Sequence, residues 1–343
     1  MIRLALDCFG GDNSPKANVD GALLALPNFP DLELYLVGDE ALIRKELEGR
    51  EYDKERIRII HAPDVIGCDE VPTVAIKQKK ESSLMKCVEL VRGDGEVHGM
   101  ITTGSTGALV AAATLRVGRI PGVKRPTFCP ILPTMYGGTV SVCDSGANVD
   151  VSVRTLCQFA IMGDLYLKSA VGKESPRVAL LNIGVEETKG DELRKAAYPV
   201  LKSMKEINFV GNMEARELLS GDYDLVVCDG FTGNVLIKTT EGTCLEILKK
   251  LKRDIYSKTI YKVGAALMKS MFEEEKRFMD YRNYGGSVLL GCKKIVVKGH
   301  GSSNDVSVSK CIEQAYRMQL ADLTEKIRVS IEKFNAEHEE LQN

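Results

Sequence analysis

Four apolar runs along this chain each end in a polar, glycine-rich turn. The turns are Asp7-Cys-Phe-Gly-Gly-Asp-Asn13, Thr102-Thr-Gly-Ser-Thr-Gly107, Asp229-Gly-Phe-Thr-Gly-Asn234 and Lys298-Gly-His-Gly-Ser-Ser303. Glycine lets main-chain N–H groups approach an anion closely, and a helix that follows adds its positive end. One such turn is ordinary loop chemistry. Four of them, each closing a candidate strand, point to a single cleft at the carboxyl ends of several strands, where open α/β sheets take their ligands. The competing reading is four tight turns with no shared site.

The rest of the chain keeps the same rhythm. Strands are predicted at residues 2–6, 32–37, 57–60, 99–102, 129–132, 139–143, 177–181, 207–210, 225–228 and 295–298. Helices are predicted at residues 17–26, 41–48, 82–91, 107–118, 151–167, 191–203, 234–252 and 307–335. Alternation of this kind makes an α/β protein with parallel strands and crossover helices. The chain has 343 residues, 44% of them hydrophobic, enough for one large unit or two lobes. No low-complexity stretch, linker or internal repeat divides it.

A net charge of −2 offers no basic field for nucleic acid, and Trp is absent, so base-stacking platforms are not expected. Ten scattered cysteines form no C-x-x-C pair and read as reduced, buried thiols of a cytosolic protein. Residues 1–7 read as a strand entering a turn rather than a signal peptide, and no run approaches the ~18 apolar residues of a membrane span. No G-x-S-x-G, H-E-x-x-H or G-x-x-x-x-G-K-[ST] pattern occurs, and the four histidines lack metal-ligand spacing.

Residues 249–284 break the rhythm and carry no strand signal. Tyr256, Ile260, Val263, Leu267 and Met271 recur at helical spacing, flanked by Lys249, Lys250, Lys252, Arg253, Lys258, Lys262 and Lys269. An apolar stripe with basic flanks suits a membrane surface or an acidic partner. A dimerisation arm, or a helix packed on its own domain, explains it equally well.

Candidate site residues cluster in the turns. Asn13 or Ser14 is placed to cap the helix that follows, with Pro15 in its first turn. Ser105, Thr106 and Gly107 open the next helix, as a phosphate cradle or as a hydroxyl cap. Lys189, after Asn182-Ile-Gly184, stands at a strand-to-helix junction, to neutralise an anion or simply to be solvated. Asn234 and Lys238 share a helix face beyond Asp229, which ends a strand. His300, between two glycines and beside Ser302, is placed either to donate to an oxyanion or to bond the backbone.

Taken in order, these motifs resemble the PlsX family, the acyl-carrier-protein-dependent phosphate acyltransferases of bacterial phospholipid synthesis. The likeness runs through Asp7-x-x-Gly-Gly-Asp12, Gly104-Ser-Thr-Gly-Ala-Leu109, Asp144-x-Gly-Ala-Asn-Val-Asp150 and Gln158-Phe-Ala-Ile-Met-Gly163. It continues through Leu181-Asn-Ile-Gly184 with Lys189-Gly190, Asp229-Gly-Phe-Thr-Gly-Asn234, Tyr284-Gly-Gly286 and His300-Gly-Ser-Ser303. Departures are Cys8-Phe9 for the family's Ala-Met, Ser105 for its Asn and Ser145 for a small apolar residue.

The resemblance implies a three-layer α/β/α sandwich with a mixed, mostly parallel sheet, like isocitrate and isopropylmalate dehydrogenases. It implies a single two-lobed domain over residues 1–343, a helical arm at 249–284 and a homodimer. It implies transfer of a long acyl chain from acyl carrier protein to inorganic phosphate, giving an acyl phosphate for a membrane glycerol-3-phosphate acyltransferase. The expected location is cytoplasmic, at the inner face of the cell membrane, with no cofactor and no metal. Hydrogen phosphate is already a nucleophile, and a thiol, with a pKa of about 8.5, leaves readily. Positioning and preorganised donors then suffice for catalysis. On that basis Gly10, Gly11, Ser105, Thr106, Gly107 and Asn234 line the phosphate site. Lys189 and His300 stabilise charge, Asp229 orients a donor, and Asn13, Asn182, Lys238 and Ser302 complete the substrate contacts. A coenzyme A-dependent phosphate acetyltransferase and a non-catalytic membrane scaffold are the alternatives.

Overall fold

The computed structural model describes residues 1–93, 95–278 and 284–341, so residues 279–283 of the expected arm lie outside it. The first half runs β1 (Ile2–Asp7), α1 (Lys16–Ala25), β2 (Leu32–Gly38), α2 (Glu40–Leu47), β3 (Ile57–His61), α3 (Pro72–Gln78), α4 (Ser83–Val91), β4 (Gly99–Thr102) and α5 (Thr106–Ala112). It continues with β5 (Thr127–Cys129), β6 (Ile131–Pro133), β7 (Thr139–Cys143), α6 (Val153–Tyr166), β8 (Arg177–Asn182), α7 (Glu192–Ser203), β9 (Asn208–Glu214) and β10 (Leu225–Val227). The last part is α8 (Gly230–Ser257), α9 (Thr259–Leu267), α10 (Lys269–Phe278), β11 (Ser287–Leu290), β12 (Ile295–Lys298), α11 (Asp305–Leu320) and α12 (Leu323–Glu337).

The strands form two mixed, mostly parallel sheets. One has the order β3-β2-β1-β4-β12-β11-β5, and the other β6-β7-β10-β8-β9. β11 runs antiparallel to both β12 and β5, and β6 antiparallel to β7. Successive strand side chains point to opposite faces, so Leu4 and Leu6 enter one apolar cluster and Ala5 the other. Leu34 and Leu36 alternate in the same way with Tyr35 and Val37. Burial on both faces explains why these strands read as near-continuous apolar runs. The largest cluster takes Leu6 from the first sheet, Leu180 and Leu225 from the second, and Phe159 and Tyr166 of α6. One core therefore serves both sheets.

Several expectations change. The strand predicted at 129–132 is two, split at Pro130, which has no N–H to give to a ladder. The chain crosses there from the first sheet to the second. The helix predicted at 307–335 breaks into α11 and α12 at Asp322, whose φ is +50°. β11 and α3 carried no signal of their own. Neither Asn13 nor Ser14 caps α1 with its side chain: Pro15 occupies the cap, the Asn13 amide donates to Ser303 O at 3.0 Å, and Ser14 Oγ donates to Gly11 O at 2.9 Å. Eight cysteines are buried as expected, but Cys68 is exposed and Cys244 half-buried.

The arm is helical but not continuous, breaking at Lys258 and Met268. Its apolar stripe is not packed on its own domain: Ile260 is 70% exposed and Leu267 84%. Among the described residues no helix is long and apolar enough to cross a membrane.

Candidate active site

β1, β4 and β12 are neighbours and parallel, so their carboxyl ends deliver three of the four turns to one place. Thr102 Oγ1 donates to Asp7 Oδ2 at 2.7 Å, and the Asp12 N–H donates to Gly301 O at 2.8 Å. The Gly299 N–H donates to Thr102 O at 2.8 Å. Asp7 is buried, and burial pushes its carboxyl above the ordinary range. Gly11 has φ +84°, and a side chain there would meet Thr103 and Gly301.

The fourth turn lies on the second sheet, after β10. Asp229 caps α8, accepting from Thr232 N at 2.8 Å. Its other oxygen accepts from Arg194 Nη2 at 2.6 Å. Burial alone would raise the Asp229 pKa, but the bonds from Thr232 and Arg194 hold it below the usual range. The adjacent turn after β7 is organised by Asp144, which accepts from Phe128 N at 3.0 Å and Asn148 N at 2.7 Å. Asn234 Nδ2 donates to Ser145 O at 3.2 Å, which ties α8 to that turn.

Between the two sheets lies a cavity of about 220 Å³. Thr106, Lys298, Gly299 and His300 form the wall on the first sheet's side, and Ser145, Asn234, Lys238 and Glu241 the opposite wall. The β5–β6 crossover, from Phe128 to Leu132, closes it with apolar surface, and Gly285–Ser287 complete it. The His300 Nδ1 accepts from the Ser302 N–H at 3.2 Å and lies 2.8 Å from Ser302 Oγ. That assigns the proton of the neutral ring to Nε2. Burial lifts the Glu241 carboxyl above its ordinary pKa, and Lys238 opposes the lift.

Of the residues singled out by sequence, Thr106, Asn234, Lys238 and His300 meet at this cavity, with Ser302 behind the imidazole. The others are elsewhere. Gly10 packs on Gly104, and Gly107 on Pro72 of α3, so both glycines are explained by close packing. Ser105 Oγ accepts from Ala108 N at 3.4 Å as the cap of α5. Asn13 clamps the 302–303 turn. Asn182 holds the loop after β8, accepting from Ile183 N at 2.8 Å and donating to Lys189 O at 3.1 Å. Lys189 itself is exposed on that loop and absent from the cavity wall.

Two residues escaped the sequence reading. Arg194 bonds Leu181 O at the end of β8, Asp191 at the start of α7 and Asp229 at the start of α8. Lys298 is 8% exposed at the cavity wall, and its one sequence signal is a lysine ending an otherwise apolar strand. Among the described residues no group of three or more His, Cys, Asp or Glu is arranged to hold a metal.

A family model described as "Fatty acid synthesis protein" matches residues 2–326. A phosphate acyltransferase of Clostridium perfringens is 44% identical over 332 residues, 97% of each chain. One of Shouchella clausii is 43% identical over 331 residues, covering 96% of this chain and 99% of its own. Among solved structures, a phosphotransacetylase from Streptococcus pyogenes superposes with a TM-score of 0.59 at 15% identity over 94% of both chains. A branched-chain phosphotransacylase from Enterococcus faecalis gives 0.55 at 16%, over 92% of this chain and 98% of its own. The two structures establish a shared fold.

Proposed function

Because this chain belongs to the PlsX family of phosphate acyltransferases, enzymes of lipid synthesis, we propose that it transfers a long-chain acyl group from acyl carrier protein to inorganic phosphate. A phosphate oxygen attacks the thioester carbonyl carbon. The C–O bond forms, the C–S bond breaks, and the carrier thiolate leaves and takes up a proton. The acyl phosphate formed feeds phospholipid synthesis.

The observation that supports this reading is the convergence of Thr106, His300, Asn234 and Lys238 on one polar cavity floored by apolar side chains. Hydroxyl, amide and ammonium groups suit a phosphate dianion. An imidazole with its proton on Nε2 suits the developing oxyanion. The apolar Phe128–Leu132 side suits the carbonyl end of an acyl chain. Lys189 lies exposed on the loop after β8, outside the wall, where it suits the arriving carrier substrate.

The test is phosphate-dependent release of free carrier protein from palmitoyl-acyl carrier protein, with acetyl-coenzyme A assayed beside it. Turnover with acetyl-coenzyme A alone would favour the phosphate acetyltransferase alternative. His300→Ala is expected to lower kcat about 100-fold. Lys189→Ala is expected to raise KM for the carrier substrate more than KM for phosphate. Near-normal kcat/KM in both variants would sink the residue assignments.

The arm supports a further part of the reading. Its exposed Tyr256, Ile260, Val263 and Leu267 need a cover, and lysines flank them. We assign this surface to peripheral contact with the inner face of the cell membrane, where a glycerol-3-phosphate acyltransferase takes the product. A homodimer partner is the other cover considered. Vesicle co-sedimentation should weaken in the Leu267→Glu, Met271→Glu double variant. Unchanged binding would assign the stripe to subunit packing.

A further inference from the structure

We propose that Lys298 is the cation that holds the acceptor phosphate in the cavity, a role that rests on reading this cavity as the acceptor site. Lys298 is the last residue of β12 and forms part of the cavity wall, 8% exposed. Its ammonium donates to two main-chain carbonyls, Thr103 O at 3.3 Å and Gly299 O. Both carbonyls belong to the glycine-rich turns beside the cavity.

What Lys298 lacks is a counter-ion in contact; Asp7 and Asp12 act on its ammonium from beyond ion-pair distance. Several buried charges have a direct partner: Asp224 faces Lys173 and Arg177, Glu33 faces Arg3 and Arg58, and Asp229 faces Arg194. Arg154, buried away from this cavity, is held like Lys298 by neutral oxygens. Among the described residues no carboxylate lies within ion-pair distance of Lys298. Two carbonyl dipoles orient an ammonium without cancelling its charge. An unpaired buried cation is costly, and the cost is relieved when an anion enters beside it. Burial holds the Lys298 pKa below the usual lysine value.

The other lysines of the region do not fit this place. Lys238 is exposed on the opposite wall, on the same helical turn as Glu241, and Lys189 is outside the cavity. A buried, pre-oriented ammonium attracts a dianion more strongly than a solvated one and needs no reorganisation when the ligand arrives. Lys298 therefore sets the position of the nucleophile, with Thr106 and Asn234 as neutral partners. Because it touches the reacting phosphate, it counts as a catalytic residue.

The experiment uses the full-length protein and the variants Lys298→Met and Lys298→Gln. KM for phosphate and KM for palmitoyl-acyl carrier protein are measured separately, and binding of ³²P-phosphate to the free enzyme is measured by equilibrium dialysis. The expected result is a rise of at least about tenfold in phosphate KM and dissociation constant, with carrier-substrate KM within twofold of the wild type. Thermal stability should hold or rise, since a buried charge has been removed. Phosphate-dependent turnover with unchanged phosphate KM and binding in both variants overturns the role of Lys298 alone. Absence of phosphate-dependent turnover in the wild type overturns the acceptor-site reading beneath it.

Discussion

Gly10 and Gly104 meet so closely that a side-chain carbon on Gly10 would stand 2.5 Å from the Gly104 nitrogen. The turns after β1 and β4 are thus one packed unit, backbone against backbone. Gly10 makes room for the second turn, which carries Thr106 into the cavity.

Gly10→Ala should therefore push the two turns apart. Overpacking of this kind costs about 1–3 kcal/mol. Urea unfolding should show that loss, and kcat/KM should fall further than stability because Thr106 moves with its turn. Unchanged values for both would mean that the turns are not mutually fixed.

Arg194 and Asp229 are 12% and 11% exposed at the side chain and 35 residues apart. Breaking a buried pair from one side strands the other charge, at a cost of about 3–5 kcal/mol. Arg194→Met should approach that figure and lower activity, because Asp229 starts the helix bearing Asn234 and Lys238. Adding Asp229→Asn should recover part of the lost stability, and a double-mutant cycle reads the difference. Strict additivity would count against direct coupling.

Glu241 shares the cavity wall with Asn234 and Lys238. Its folded pKa is raised, so ionised Glu241 is disfavoured there, and above that pKa its charge opposes an incoming dianion. At pH 8, Glu241→Gln should lower KM for phosphate about two- to fivefold, the scale of a partly solvated charge pair. An increase instead would mean that Glu241 positions Lys238.

Asp224 takes hydrogen bonds from Arg177 and Lys173, which overcome its burial and lower its pKa to about 2 from 3.8. A depressed folded value stabilises the native state fully above the unfolded pKa, and the gain is lost as pH falls through the folded one. The contribution is about 2 kcal/mol at neutral pH. Unfolding free energies of wild type and Asp224→Asn should differ by that amount at pH 7 and converge as pH falls from about 4 to about 2. A gap independent of pH would mean that packing, not charge, is lost.

Much of the architecture is local information. Strands at Gly99–Thr102, Thr139–Cys143 and Ile295–Lys298 read to the residue, because burial on both faces demands an unbroken apolar run and the polar turns punctuate it. The order of the turns carried the family. The sequence placed Thr106, Asn234, Lys238 and His300 in or just beyond the polar turns, and the fold brings these four to one cavity.

Tertiary structure decided the rest, because partners far apart in sequence leave no local trace. The same glycine signal served close packing at Gly10 and Gly107 and a cavity wall at Gly299. Asp229 reads in the sequence as a strand end that orients a donor, and only the fold brings Arg194 of α7 to it. The apolar run at 129–132 reads as one strand, and only strand pairing sends β5 to one sheet and β6 to the other. Lys298 ends an apolar strand in the sequence, and only the folded chain shows that its charge is buried at the cavity wall.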